Sequence, residues 1–209
     1  MEASFYLPID SFDILTEVQF VERTLMSQKR IQLEDVATDS VQRSGLNNLS
    51  FRTLADEVGI KSSSVHYYFP EKSHLAGALI EKYTLALAER LTAIDSSKSN
   101  PVKKLEAFIK IFDDVIKAEK FCLCGMLAAE VATLNEENRT LLRGYFHLAE
   151  NWLYQIFHEH ADSLSLALKP RTLARVVMSG LEGAILLDRV DGNRDRLRGQ
   201  RELIRSLLR

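Results

Sequence analysis

The sequence predicts an all-α fold, and three observations carry that expectation. Nine Gly and four Pro in 209 residues leave long stretches without a breaker, which favours helices over many short strands. Apolar residues recur at steps of three and four, and no strand-like alternation of useful length survives a pass along the chain. Capping residues stand where the apolar stripes begin and end. About nine helices result, with no internal repeat. The length suits one large domain or two small ones, and 46% hydrophobic with 27% charged residues is ordinary globular composition.

The elements follow in order. Residues 1–25 show no clear period, and Met26-Ser27-Gln28-Lys29 reads like a natural protein start; 1–25 is therefore expected to be an appendage, either a real extension or an over-called start. A helix is expected from about Gln28, with Leu33, Val36, Ala37 and Val41 on one face, ending at Ser44-Gly45. Ser50 is placed as an N-cap, and Phe51, Leu54, Ala55 and Val58 form the stripe of a short helix closed by Gly59. Ile60 is expected to be a buried hinge. Lys61-Ser62-Ser63-Ser64 opens a second short helix carrying Val65 and Phe69 inward, ended by Pro70. A long helix starts near Glu71-Lys72, with Leu75, Leu79, Tyr83, Leu87 and Leu91 in four-residue steps. Asp95 to Asn100 is the most linker-like run, and Asn100-Pro101 starts the next helix with Val102, Leu105, Phe108, Ile109, Phe112 and Ile116. Further helices are expected at about 122–134, 137–160, 171–190 and 196–208. The domain division read from this is 1–25, 26–80 and 81–209.

Residues 50–69 are two short helices joined by a tight glycine turn, the helix-turn-helix arrangement whose second helix enters the DNA major groove. That second helix offers Ser62, Ser63, Ser64, His66 and Tyr67 outward, short or hydrogen-bonding groups able to approach base edges. Arg52, Lys61 and Lys72 flank it as phosphate partners, although Arg52 and Lys61 also fit solvated surface charges, and Tyr68 and Phe69 fit core packing.

The run Leu49-Ser-Phe-Arg-Thr-Leu-Ala-Asp-Glu-Val-Gly-Ile-Lys-Ser-Ser-Ser-Val-His-Tyr-Tyr-Phe-Pro-Glu-Lys-Ser-His-Leu75 resembles the DNA-binding signature of the tetracycline-repressor-type (TetR/AcrR) family. The resemblance spans roughly Leu33 to Leu79 and includes Ala55, Gly59, Ile60 and the His66-Tyr67-Tyr68-Phe69-Pro70-Glu71-Lys72 ending. It departs from the family pattern at His66, at Ser63-Ser64 and at Ser40-Val41. The resemblance implies a ligand-responsive regulator, usually a repressor, that binds palindromic double-stranded DNA as a homodimer. It implies Ser62, Ser63, Ser64, His66 and Tyr67 at bases or backbone, Lys72 on a phosphate, and Ser50, Arg52 and Thr53 beside the groove edge with Lys61. Phe121-Cys-Leu-Cys-Gly-Met-Leu-Ala-Ala-Glu130 and Leu181-Glu-Gly-Ala-Ile-Leu-Leu187 resemble segments of some members.

In such a protein the second half holds an unknown small-molecule effector and the dimer contact. Phe108, Phe112, Met126, Tyr145, Trp152 and Met178 are the large apolar groups offered as pocket lining, with core packing the competing reading. Val177, Gly180, Leu181, Ala184, Ile185 and Ile204 are the offered dimer face.

Other chemistry is thinly represented. Cys122 and Cys124 are too few for a disulfide framework and fit packing, with thiol sensing as the alternative. His158 and His160 lack the four-residue spacing of a zinc helix. An enzyme or metal protein using His147, His158, His160 and the cysteines is the competing class; the expectation is no enzyme, no metal and no cofactor. No membrane segment is expected, and the location expected is cytoplasmic. The formal charge of −2 argues weakly against nucleic acid, but residues 1–25 hold Arg23 against Glu2, Asp10, Asp13, Glu17 and Glu22, leaving 26 basic and 24 acidic residues elsewhere. The charge therefore predicts modest non-specific affinity and reliance on a matched site.

Overall fold

The computed structural model describes the backbone over residues 11–208, and the side chains from Gln28 onward. The described residues form nine α-helices: α1 (Ser11–Ser44), α2 (Phe51–Val58), α3 (Ser62–Tyr68), α4 (Lys72–Ser97), α5 (Pro101–Lys117), α6 (Leu123–Ala129), α7 (Glu136–Glu159), α8 (Pro170–Asp191) and α9 (Asp195–Ser206). Two 3-10 turns, Val131–Thr133 and Ala161–Ser163, and one isolated bridge between Leu164 and Leu208 complete them. No helix among them is long and apolar enough to cross a membrane.

Two expectations are corrected. The first helix begins at Ser11, not near Gln28, so much of the segment read as having no period is helical. A helix once nucleated extends without an amphipathic stripe, because each added residue contributes its own hydrogen bond. Residues 1–10 of that segment lie outside the described residues. The helix expected over 122–134 is shorter: α6 stops at Ala129 and the chain tightens into the Val131–Thr133 turn. There Thr133 donates its hydroxyl to the Glu130 carbonyl, a local bond that competes with the helical ladder.

The elements cohere around one contiguous apolar core. Its first part joins Leu33, Ala37 and Val41 of α1 to Leu54 and Ala55 of α2, Val65 of α3 and Leu75 and Leu79 of α4, all nearly inaccessible. Its second part joins Leu105, Phe108 and Ile109 of α5 to Leu123 and Leu127, to Leu153 and Phe157 of α7, and to Leu181 and Ile185 of α8. Truncating Phe108 or Phe157 in such a setting costs about 3–5 kcal/mol. α4 runs unbroken from the first part into the second. At the far end, the buried Asp188 of α8 accepts the backbone N–H groups of Arg196 (3.0 Å) and Leu197 (2.9 Å). An α8 carboxylate thus supplies the N-terminal cap that Arg194 does not.

The turn between α2 and α3 depends on one residue. Gly59 adopts φ 69° and ψ 41°, with its N–H on Asp56 O and the Ile60 N–H on Ala55 O. A Cβ there would touch nothing within 4 Å, so Gly59→Ala meets only the backbone penalty of the left-handed region. We expect it to cost about 1 kcal/mol and lower Tm by roughly 2–4 °C; calorimetry showing an unchanged Tm would contradict this account of the turn.

Candidate nucleic-acid interface

The α2–α3 pair is held by buried Phe51, Leu54, Ala55 and Val65, with Phe69 closing the floor behind α3. Ser50 caps α2 as its sequence position suggests, accepting the Thr53 N–H at 3.0 Å. The Thr53 hydroxyl donates to Ser50 O at 2.8 Å and lies 2.9 Å from Ser50 Oγ, so both hydroxyls also serve their own helix start. Ile60, expected to be buried, is only half-buried.

α3 presents one face outward. Ser62, Ser63, His66 and Tyr67 are exposed and Ser64 is half-buried. Tyr67, 68% exposed, sets its ring edge-on to Tyr68 at 5.3 Å. His66 is more constrained: its ring meets Phe51 edge-on at 4.9 Å, and Nδ1 lies 3.3 Å from Pro70 O. Arg52 and Lys61 are exposed and take part in no ion pair among the described residues. Lys72 differs, because its Nζ donates to Leu46 O and Asn47 O, both at 3.3 Å. It ties the start of α4 to the α1–α2 loop while staying at the surface.

The loop that Lys72 holds is gripped from the other side by residues that sequence reasoning missed. The Glu130 carboxylate, at the end of α6, accepts the N–H of Leu46 at 2.8 Å and of Asn47 at 3.3 Å. At the start of α6, the buried Gln42 of α1 donates Nε2 to Phe121 O (3.1 Å) and accepts the Phe121 N–H on its own carbonyl (3.0 Å). Asn138 of α7 donates to Ser73 O of α4 at 2.8 Å. The α6 segment is therefore bonded at its start to α1 and at its end to the α1–α2 loop.

The residues offered as pocket lining do not form one set. Phe108 stacks on Trp152 (5.3 Å) and meets Phe112 edge-on (5.5 Å), while the Trp152 N–H is taken by Asp95 at 2.9 Å. Tyr145 is buried elsewhere, its hydroxyl 3.6 Å from Cys122 Sγ and its ring 5.5 Å from Tyr83. Met126 is half-buried and Met178 buried. A cleft of about 220 Å³ lies instead between α4 and α5, against Tyr83, Leu87, Arg90, Ile111 and Val115.

The offered dimer face is corrected. Val177, Leu181, Ala184, Ile185 and Ile204 are buried inside the protomer, and Gly180 is half-buried against Gln200. The outward apolar surface of α8 is the other stripe: Val176, Leu187 and Val190, 50%, 49% and 79% exposed, with Leu186 beside them and Leu203 on α9. Ser179 and Gly183 lie on that stripe at helical spacing, leaving it low.

Cys122 is the N-cap of α6, its sulfur 3.4 Å from the Gly125 N–H, and both cysteines are buried free thiols. Burial, with Glu182 nearby, pushes the Cys122 thiol well above its usual range. His158 stacks on Tyr154 at 5.3 Å and His160 Nδ1 lies 2.9 Å from Ile156 O. Among the described residues no three His, Cys, Asp or Glu gather as a metal site.

This is the architecture of a DNA-binding regulator: a helix-turn-helix on a long helix shared with a larger helical half. The bacterial regulatory protein family model, tetR type, matches residues 34–79, and the C-terminal domain model of LmrA/YxaF-like transcriptional regulators matches residues 101–202. The chain belongs to the TetR family of transcriptional regulators. It is 29% identical to the transcriptional regulator AcuR of Cereibacter sphaeroides over 166 residues, 72% of this chain and 75% of that protein. Among solved structures, a TetR transcriptional regulator from Legionella pneumophila is 29% identical with a TM-score of 0.79, over 85% of this chain and 96% of the other. One from Agrobacterium tumefaciens is 25% identical with a TM-score of 0.83, over 88% and 100%.

Proposed function

We propose that the protein is a ligand-responsive repressor, acting in the cytoplasm as a homodimer on a palindromic operator. The observation that carries this reading is the outward surface of α3, where Ser62, Ser63 and Tyr67 stand exposed, with Arg52 and Lys61 also exposed and in no ion pair among the described residues. Ser62, Ser63, Ser64 and Tyr67 face base edges and nearby phosphates; Arg52 and Lys61 neutralise the backbone. Ser50, Thr53, His66 and Lys72 keep mixed roles, touching DNA while holding the motif's own geometry. One α3 reads few base pairs, so specificity comes from two copies about one DNA turn apart.

The pairing surface in this reading is the Val176, Leu187 and Val190 stripe of α8 with Leu203 of α9. Val190 is 79% exposed, so Val190→Asp leaves the protomer core intact and puts a charge into the pair. Light scattering is expected to show at least a tenfold weaker dimer, with operator affinity falling in parallel. A variant that stays dimeric with unchanged affinity overturns this surface.

Effector binding acts on DNA through the α6 bonds, because Glu130 and Gln42 connect that helix to the loop and helix that set α3. Glu130→Gln keeps the side chain's size and removes the charge that binds two backbone N–H groups. The expected result is intact DNA binding with release by effector weakened several-fold. The function as a whole is tested by selecting duplexes from genomic fragments with the purified protein and then screening compounds that release them. Failure to enrich any sequence overturns it.

A further inference from the structure

We propose that Glu182 anchors a small organic cation bearing N–H donors, whose body occupies the cleft between α4 and α5. The inference rests on the ligand-responsive reading and adds the chemical class of the effector.

The first observation is an orphaned acid. Part of Glu182 remains accessible, but both carboxylate oxygens are shut off from solvent, and among the described residues neither has an N–H or O–H donor, the weak Cys122 thiol being the one donor beside it. Gly125 of α6 lies directly beneath, where a Cβ would stand 2.5 Å from Oε2. The titratable groups facing this carboxylate are Tyr83 from α4, Cys122 and Cys124 from the start of α6, and Tyr145 from α7. None is basic. A buried carboxylate left without a cation or a full set of donors is costly to a fold.

The second observation is access. Tyr83 belongs both to this cluster and to the wall of the 220 Å³ cleft. The cleft's inner walls are apolar, from Leu87, Ile111 and Val115, and its Arg90, Asp114 and Lys120 stand at the polar side. A ligand with an apolar body and a cationic head fits that order. Turning Tyr83 aside joins the two spaces, and its ring, tilted against Tyr145 at 5.5 Å, then offers an aromatic face to the cation. Two free oxygens accept two parallel N–H donors, as an amidinium or guanidinium supplies. An anionic or purely apolar head leaves the acid as unsatisfied as before.

In the free protein a proton serves in place of the cation. Burial lifts the Glu182 carboxyl to about 7, the Cys122 thiol beside it offsetting only part of the rise. Cation binding therefore releases a proton near neutral pH, and affinity rises with pH through that value.

The test is calorimetric titration of the full chain with guanidinium, benzylammonium and benzamidinium, against neutral benzamide and anionic benzoate, at pH 6 and pH 8. Benzamidinium is expected to bind about tenfold more tightly at pH 8 than at pH 6, releasing close to one proton at pH 6 and about a tenth of one at pH 8 when buffers of different ionisation heat are compared. Glu182→Gln is expected to weaken it at least tenfold and erase the pH dependence. The wild-type proton release and the amidinium–amide discrimination stand independently of whether that variant folds. Equal binding of benzamide, no binding by any of the three cations, or full retention by a folded Glu182→Gln overturns the proposal. The same proteins are then tested on the selected duplex. If no duplex binds, the regulator reading fails while calorimetry still judges the cation site. If the duplex is released equally from wild type and Glu182→Gln, the regulator reading holds and the cation site falls.

Discussion

Tyr67→Ala is expected to lower operator affinity by about a hundredfold or more while leaving the fold unchanged. The side chain is 68% exposed and its one ring contact in the free protein is with the neighbouring Tyr68, so removal takes almost nothing from the core. In the proposed DNA complex it stands beside Ser63 and Ser64, where its hydroxyl would reach a phosphate or a base edge. A hydrogen bond to a charged group contributes about 1.5–3 kcal/mol, and a homodimer loses two of them, so even the lower figure gives a factor of about 150. Lys61→Ala provides the contrasting result. Its loss removes two phosphate contacts per dimer, so the slope of log K against log salt should fall by about two, uniformly across sequences. Fluorescence anisotropy on the selected duplex over a salt series separates the two. A Tyr67→Ala protein that binds as wild type, with an unaltered slope for Lys61→Ala, would place the DNA surface elsewhere. Lys72→Ala is a poorer probe, because its ammonium also bonds the Leu46 and Asn47 carbonyls, mixing a structural loss into the reading.

The helix-turn-helix was legible because its determinants are local. Ser50, Gly59 and the Leu54, Ala55, Val65 spacing each impose a backbone choice within a few residues, and all agree. What failed was information held between distant segments. The α8 sequence carries two apolar stripes, one through Val177, Leu181 and Ile185 and one through Val176, Leu187 and Val190; periodicity finds both but cannot say which meets α5 and α7. Glu130 and Gln42 carry no signal in the sequence, since nothing near them announces backbone partners some 80 residues away. The aromatic residues offered as one pocket divide because Trp152 turns its N–H to Asp95, a pairing invisible to spacing. Glu182 had one legible clue: it interrupts Leu181-Glu-Gly-Ala-Ile185, a run otherwise apolar or small.

That residue gives the second large effect, on stability, in protein without any ligand. Burial raises the folded-state carboxyl of Glu182 to about 7, against 4.5 when the chain is unfolded. Between those values the unfolded chain has released the proton while the folded one still holds it, so the unfolded state binds fewer protons and stability falls as pH rises. The fall starts near pH 4.5, is complete above about pH 7, and amounts to about 3 kcal/mol per protomer. The opposite behaviour belongs to Asp39, lowered by hydrogen bonds from Arg43 and Lys120, and to Glu136, lowered by Arg143. Their stabilisation is lost as pH drops toward their depressed values, a more acidic window that does not overlap. Glu182→Gln keeps the shape and cannot ionise, so it should gain on wild type progressively from pH 5 to pH 8. Urea unfolding of both proteins at the two pH values, at one protein concentration, isolates the difference from every other titrating group. Parallel curves, with the same gap at pH 5 and pH 8, would show that the carboxylate is solvated or paired in solution, and would remove the orphaned acid from which the cation site is argued.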